Sequence, residues 1–225
     1  MKSGRKSIVS NRVTPKLLLA TGNAHKAAEM RAILADLPVE LVNLSEIDPE
    51  HTITEPEETG STYLENALIK AKYYGQVTHM ACLADDSGLE IEALDGAPGL
   101  FSHRFLSQCR TQAEKNERVL EILHNEPLEK RRAQFRCLCV IYGLDKLGVS
   151  TASKEYIQTE ATCPGHIAFE AYGQGGFGYD PIFMPDLGNG RHMAELSEKD
   201  KNKISHRGQA VRQAVRLLLE KRSLK

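Results

Sequence analysis

Hydrophobic residues repeat with two alternating periods along this chain, and that alternation most limits the folds it can adopt. A short apolar strand is predicted over residues 16–20, and it runs directly into Thr21-Gly22-Asn23. Apolar side chains then recur every three or four residues over 30–37, which is the pattern of a half-buried helix. A strand that is followed at once by a helix is typical of an α/β fold.

The rest of the chain predicts further strands and helices. Capping boxes at Thr62-x-x-Glu65 and Thr111-x-x-Glu114 predict two helix starts. Several strands then follow one another, which favours a mixed sheet over a purely parallel one. We therefore expect one α/β domain with two lobes around a cleft. The predicted strands are 16–20, 39–44, 81–84, 89–93, 133–142 and 153–161, and two more helices are predicted from Ser197 and around 211–218.

Charge and hydropathy argue against two function classes. The 225 residues include 29 Lys and Arg and 30 Asp and Glu, so the formal net charge is −1. A general nucleic-acid coat needs an excess of cations, and this chain has none. No apolar run in the sequence approaches the roughly 20 residues that a membrane span needs. We expect no nucleic-acid partner and no membrane association.

The N-terminal residues and the cysteines bear on the compartment. Residues 1–15 lack the apolar stretch of a secretory signal, so we predict a disordered extension ahead of a domain at 16–225. The five cysteines are odd in number, and Cys137-x-Cys139 has no second pair at zinc spacing. A reducing cytoplasm is the expected location.

Two segments at predicted strand ends carry groups that suit phosphate and metal. Thr21-Gly22-Asn23-Ala24-His25-Lys26 joins a strand to a helix, where free N–H groups and a lysine form a phosphate cradle. The alternative is a tight turn that Asn23 caps. Asp85-Asp86-Ser87-Gly88 places two carboxylates at a strand end before a tight turn, as Mg²⁺ sites do, and the alternative is a solvated turn. Neighbouring strand residues point in opposite directions, so we expect only one aspartate to face the cleft.

An acidic segment before the second predicted helix offers another carboxylate. Glu58, in Glu58-Thr59-Gly60-Ser61-Thr62, could lie beside a metal ion, and Asn66 and Lys70 share one face of the helix that follows. The alternative is an acidic loop in front of an ordinary amphipathic helix.

Two segments in the second half of the chain suit a nucleotide. The loop at 173–181 contains four glycines within six residues, which lets the backbone approach a ligand closely. Phe177 and Tyr179 offer flat faces for a base, and Asp180 can accept from ring N–H groups; the alternative is a flexible turn. Lys201 and Ser205-His206-Arg207-Gly208 precede the last helix, where they could bind an anion or form an exposed basic terminus.

Taken together, these segments supply what a Mg²⁺-dependent nucleotide enzyme needs, and in their order along the chain they resemble the inosine triphosphatase family. The bacterial members of that family are called dITP/XTP pyrophosphatases. The resemblance extends from about residue 16 to about residue 219. The matching motifs are Ala20-Thr21-Gly22-Asn23-x-x-Lys26, Glu58-x-Gly60-x-Thr62, Glu65-Asn66-Ala67, Ala84-Asp85-Asp86-Ser87-Gly88-Leu89, Gly96-Ala97-Pro98-Gly99, Gly175-Gly176-Phe177-Gly178-Tyr179-Asp180-Pro181 and Ile204-Ser205-His206-Arg207-Gly208.

The resemblance implies a fold, a reaction and roles for individual residues. The fold is a two-lobed α/β structure around an elongated mixed sheet, and the enzyme is a Mg²⁺-dependent homodimer that hydrolyses ITP, dITP and XTP to the monophosphate and pyrophosphate. Asp86 would bind the metal and accept a proton, and Glu58 would be the second carboxylate beside the metal. The implied substrate-binding residues are Thr21, Gly22, Asn23, Ala24, His25, Lys26, Ser87, Phe177, Gly178, Tyr179, Asp180, Lys201, His206 and Arg207.

Base selectivity has its own logic. Hypoxanthine and xanthine carry a carbonyl at C6 where adenine carries an amine, so a pocket that aims donors at this position disfavours adenine. His206, Arg207 and the N–H groups of the loop are candidate donors.

Two alternative functions are a general nucleotide phosphatase that releases orthophosphate and a non-catalytic nucleotide-binding module.

Overall fold

The computed structural model describes residues 14–150 and 155–223 of the chain. Almost all of the predicted extension at 1–15 and the first two residues of the strand predicted at 153–161 therefore lie outside the described residues.

A mixed six-stranded sheet forms the centre of the fold. Its strands are β1 (Lys16–Leu19), β2 (Glu40–Asn43), β3 (Ala81–Ile91), β4 (Arg132–Tyr142), β5 (Tyr156–Ile167) and β6 (Phe183–Pro185). They lie in the order β2-β1-β3-β4-β5-β6. β1 is parallel to both β2 and β3, whereas β3, β4, β5 and β6 pair antiparallel in sequence. The prediction of a mixed α/β fold is confirmed.

Six α-helices accompany the sheet within the described residues. They are α1 (Ala24–Ile33), α2 (Leu44–Ile47), α3 (Tyr63–Thr78), α4 (Gln112–Ile122), α5 (Glu198–Ile204) and α6 (His206–Ser223). The predicted caps are confirmed, since the side chains of Thr62, Thr111 and Ser197 accept from backbone N–H groups in the first turns of α3, α4 and α5. Neither α2 nor the three-residue strand β6 was predicted. None of the helices in the described ranges is both long and apolar enough to cross a membrane.

Alternate residues of β1 and β3 pack against helices on opposite faces of the sheet. Leu17, Leu19 and Leu83 belong to a core cluster that includes residues of α1 and α6. Leu18 and Cys82 lie one residue away along their strands and belong to a second cluster with residues of α3. Both faces of these strands are therefore covered, which explains why the strand segments are apolar without interruption.

The far ends of the long strands pack against α4. A third core cluster joins Leu89 and Ile91 of β3 to Val119 of α4 and Phe183 of β6. The predicted division into two lobes around a cleft stays a prediction.

The strand β3 corrects the prediction of a tight turn at Asp85-Asp86-Ser87-Gly88. The ladder to β4 continues without a break from Cys82 to Ile91, so the two short predicted strands are one long strand. A side chain at Gly88 would collide with the carbonyl oxygen of Gly99 and the hydroxyl of Tyr63. The glycine therefore allows a close approach of two backbone segments and does not form a turn. The predicted strand also ends earlier than expected, because residues 92–94 form a short 3₁₀ turn.

A buried leucine of β3 tests this packing. The side chain of Leu83 is fully buried, so we expect Leu83→Ala to lower the free energy of unfolding by about 2–5 kcal/mol through lost contacts and a residual cavity. Leu187 is 69% exposed, and Leu187→Ala should change stability by less than about 0.5 kcal/mol. Urea denaturation followed by circular dichroism measures both. Equal effects of the two substitutions would contradict the assigned packing.

Candidate active site

The two neighbouring aspartates of β3 point to opposite faces of the sheet, as expected from the strand period. Asp85 lies on the face covered by α1 and α6, where its carboxylate contacts Lys26. Asp86 lies on the face covered by α3, where its carboxylate accepts from Asn66. One step along the chain thus separates two chemical environments.

Asp85 is the centre of a buried charge network. Its Oδ2 atom accepts from Lys26 Nζ at 3.2 Å, from Arg207 Nε at 3.2 Å and from Ser87 Oγ at 3.1 Å. Burial by itself would raise the pKa of Asp85, but the charges of Lys26 and Arg207 outweigh it and hold the pKa well below its usual range. Asp85 is therefore ionised and serves as the common acceptor of α1, β3 and α6.

Glu29 of α1 extends this network and was missed in the sequence. Its carboxylate accepts from Arg207 Nη1 at 2.5 Å and lies 2.7 Å from Lys201 Nζ. Burial acts to raise the pKa of Glu29, but the charges of Arg207 and Lys201 dominate and lower it. Glu29 stands three residues after Lys26 on one helix face, a spacing that looks like an ordinary surface pair. The role of Glu29 becomes clear only in the folded structure, where α5 and α6 pack beside α1 and bring Lys201 and Arg207 to its carboxylate.

The carboxylate of Asp180 stabilises the glycine-rich loop by hydrogen bonds. Its Oδ2 atom accepts from the backbone N–H of Phe177 at 2.8 Å and from Lys201 Nζ at 2.5 Å. Gly176 has a φ of 68°, and a side chain there would collide with the Asp180 carboxylate. The loop therefore needs glycine at this position. In this structure Asp180 holds the loop and Lys201, a use that the sequence did not predict.

The two aromatic residues of the loop have different surroundings. The ring of Phe177 stacks on His25 at a centroid distance of 5.3 Å, and Lys201 Nζ lies 4.6 Å from its centroid. Tyr179 is 5% exposed and belongs to the core cluster around α4, with its hydroxyl donating to the carbonyl of Ser102. The expectation that both rings offer a face to a base is therefore corrected for Tyr179, which anchors the loop.

The N-terminus of α1 forms the capped turn that was the alternative to a phosphate cradle. Asn23 is the cap, since its Oδ1 atom accepts from the backbone N–H groups of His25 and Lys26. Thr21 supports it by accepting from the Asn23 backbone N–H. Gly22, Asn23 and Ala24 are exposed, and the ring of His25 stacks on Phe177. The backbone N–H groups of Asn23, His25 and Lys26 are already paired, so phosphate binding by this segment stays a prediction.

Charges on the α1 and α6 side are balanced. The three cations Lys26, Lys201 and Arg207 pair with three carboxylates, those of Asp85, Glu29 and Asp180. Each cation has a partner in this structure, and an anionic ligand would have to compete with those partners.

The α3 side carries an excess of negative charge. Lys70 Nζ lies 3.0 Å from the Glu58 carboxylate and 3.4 Å from Asp86 Oδ1, so one lysine faces two carboxylates. Asn66 Nδ2 donates to Asp86 Oδ2 at 3.2 Å, and its Oδ1 accepts from the Gly60 N–H. Burial raises the pKa of Asp86 above its usual value, Lys70 opposes the rise, and Glu58 adds to it.

This donor set fits a magnesium ion. No group of three or more His, Cys, Asp or Glu side chains suited to a metal occurs in the described part of the chain. Mg²⁺ is commonly held by one or two carboxylates together with water and substrate phosphates. Glu58 and Asp86 supply two carboxylates with one uncompensated negative charge, and the Glu58 side chain is 31% exposed.

His206 is a neutral group inside the site. Its ring stacks on Phe135 at 4.7 Å, and its Nδ1 atom is buried without a hydrogen-bond partner among the described residues. Burial, reinforced by the charges of Arg207 and Lys201, holds the pKa of His206 well below 6.5. A neutral imidazole presents one N–H donor. Lys201, His206 and Arg207 are all buried, so the alternative of an exposed basic terminus is wrong.

Comparison with known proteins places the chain in a family. Residues 17–217 match the Ham1 family, which is nearly the whole chain. The chain belongs to the Ham1 family. A dITP/XTP pyrophosphatase of Photorhabdus laumondii subsp. laumondii is 39% identical over 198 residues, which are 88% of this chain and 94% of the relative.

Solved Ham1 structures have the same fold. A HAM1 protein from Coxiella burnetii aligns with a TM-score of 0.76 and 39% identity over 92% of this chain and 100% of the other. The Staphylococcus aureus Ham1 protein aligns with a TM-score of 0.74 and 34% identity over 91% of this chain and 98% of the other. The family resemblance predicted from the motifs is confirmed.

The buried state of His206 can be measured in this Ham1 protein. We expect its imidazole to titrate with a midpoint below 6.5, because burial disfavours the charged ring. The unfolded chain then binds this proton more readily than the folded one, so His206 lowers stability as the pH falls below 6.5. Nuclear magnetic resonance of the histidine rings gives the midpoint, and His206→Gln identifies the resonance. A midpoint at or above 6.5 would contradict the buried, neutral assignment.

Proposed function

We propose that this protein is a Mg²⁺-dependent pyrophosphatase that hydrolyses ITP, dITP and XTP to the nucleoside monophosphate and pyrophosphate, and so removes these nucleotides from the pool used for DNA and RNA. The observation that carries the proposal is the division of the site by β3. A carboxylate-rich side at Glu58 and Asp86 adjoins a cation network that leads to the glycine-rich loop. The two sides meet at Lys26, which pairs with Asp85 and whose charge also acts on Asp86. The dITP/XTP pyrophosphatases among the relatives support the same reaction.

Asp86 is proposed as the catalytic base. Burial raises its pKa, and Asn66 and Lys70 hold its two oxygens in place. Its carboxylate would accept a proton from water as the water oxygen bonds to the α-phosphorus. The bond from that phosphorus to the bridging oxygen breaks, and the electron pair leaves with pyrophosphate.

The metal would be held by Asp86 and Glu58. When bound, Mg²⁺ offsets the charge of the phosphate oxygens and lowers the pKa of a bound water. Lys70 keeps the two carboxylates together, since it contacts both.

The cation network is proposed to bind the two ends of the substrate. Lys26, Ser87 and the turn from Thr21 to Lys26 suit the phosphates, because they place a cation and a hydroxyl beside the N-terminus of α1. Lys201 lies beside Phe177 and pairs with Asp180, so we assign it to the base end and not to the departing pyrophosphate.

The base is proposed to be read by donors. Phe177 would stack on the purine, and Arg207, His206 and the loop amides, including that of Gly178, would face the C6 carbonyl. Adenine presents an amine at that position and would leave these donors unpaired, which gives selectivity against ATP.

The assembly and compartment follow the family resemblance and are part of the proposal. We expect a homodimer, with Mg²⁺ as the metal, in the cytoplasm. Cys82, Cys137, Cys139 and Cys163 are buried free thiols, a state that suits a reducing compartment.

The proposed reaction is tested by its product. With Mg²⁺ present, we expect the purified protein to convert ITP to IMP and pyrophosphate far faster than it converts ATP, because of the C6 donors. Chromatography of the nucleotides and coupled assays for pyrophosphate and orthophosphate give the result. Release of orthophosphate would favour a general phosphatase, and no turnover would favour a nucleotide-binding module. Addition of a chelator should abolish turnover.

The role of Asp86 is tested by Asp86→Asn. The amide has the same shape but cannot take the proton, so we expect kcat to fall by about 10²–10⁴-fold. Asp145→Asn is the matched control, because the Asp145 side chain is 64% exposed, and its activity should equal that of the unmodified protein. Near-normal turnover by a folded Asp86→Asn protein would rule out this assignment.

A further inference from the structure

Asn116 of α4 is a buried amide that contacts the glycine-rich loop. Its Nδ2 atom donates to the backbone carbonyl of Gly178 at 3.1 Å, and its Oδ1 atom accepts from Gln112 Nε2 at 3.0 Å. Asn116 is 4% exposed on a helix whose polar residues mostly face water. A carbonyl oxygen can only accept, so the amide must present its NH₂ group to Gly178. Burial of an amide is tolerated only when it is paired in this way.

The bond to Gly178 acts on the position of Phe177. Phe177 stands between Gly176 and Gly178, whose φ angles are 68° and 64°. Glycines leave the peptides on both sides of the phenylalanine free to rotate, so contacts must fix them. The N–H of Phe177 is fixed by Asp180 at 2.8 Å, and the carbonyl of the next residue is fixed by Asn116.

These contacts come from a part of the fold that carries none of the proposed phosphate or metal groups. Those groups lie on β3, on α1 and the turn before it, and at Glu58 in the segment before α3. Asn116 lies on α4, whose Val119 packs in the cluster with Tyr179. A substitution at Asn116 therefore affects the glycine-rich loop directly. It affects the phosphate-binding residues only by way of that loop.

We propose that Asn116 is a positioning residue for base recognition, which holds the Phe177 ring in place through the Gly178 carbonyl. The inference rests on the proposed function, because it assumes that Phe177 stacks on the purine. It predicts that loss of the Asn116 donor weakens the binding of a purine nucleotide but not that of pyrophosphate.

The test compares two ligands in three variants. Asn116→Asp keeps the shape and loses the donor, Asn116→Ala loses both donor and acceptor, and Gln112→Ala leaves the bond to Gly178 intact. Isothermal titration calorimetry with Mg²⁺ measures the Kd of IMP and of pyrophosphate, and thermal melting shows that each variant is folded. We expect the Kd of IMP to rise about tenfold in both Asn116 variants, with pyrophosphate within twofold, because one hydrogen bond is worth about that factor.

The relative IMP affinities of the two Asn116 variants distinguish a positioning role from a packing role. If the donor is what matters, Asn116→Asp binds IMP no better than Asn116→Ala, because its carboxylate faces the Gly178 carbonyl. Better IMP binding by the aspartate variant, equal weakening of both ligands, or unfolding of both variants would overturn the proposal. Gln112→Ala should leave both Kd values within twofold.

The kinetics give a second readout. In both Asn116 variants the KM for ITP should rise about tenfold while kcat changes less than threefold, since Asp86 and Glu58 are untouched. An unchanged KM would overturn the proposal. Failure of the proposed function is read separately, as absence of pyrophosphate release by the unmodified protein, because IMP binding needs no turnover.

Discussion

The carboxylate of Asp85 holds together the elements that form the site. One of its oxygens accepts from Lys26 of α1, Arg207 of α6 and Ser87 of its own strand. Charges removed from water are tolerated only when they are paired, and breaking such a buried pair costs about 3–5 kcal/mol. Asp85 therefore fixes where the two helices meet β3. It also keeps those cations on the α1 and α6 side of the sheet, although the charge of Lys26 still acts to lower the pKa of Asp86.

Much of the fold could be predicted from local patterns in the sequence. Runs of apolar residues and helix caps such as Thr62 and Thr111 place most of the strands and helices, because local hydrogen bonds and burial act over a few residues. The error lay at Gly88, where an aspartate pair before glycine looks like a turn. The glycine is required by a distant segment at Gly99, and such a contact has no local signature.

The site was predictable as a set of residue types and less so as a geometry. Asp86 and Arg207 follow from motifs, whereas Glu29 is an ordinary helix residue until α5 and α6 reach it. Tyr179 was predicted to offer a flat face to a base, because aromatic residues in loops often bind ligands. Its ring instead packs in the hydrophobic core. Asn116 gives no signal at all, since one polar residue on an amphipathic helix acquires meaning only from the loop it touches.

The pairing of every cation in the network with a carboxylate determines how the site responds to the anions around it. A cluster of unpaired cations would bind inorganic phosphate or any nucleotide indiscriminately. Here an incoming phosphate must displace Asp85 or Glu29, so one salt bridge replaces another and the net gain is small. A ligand that also contacts the glycine-rich loop gains binding free energy that phosphate alone does not have. Under the proposed function, common anions are thereby weak competitors of the nucleotide substrate.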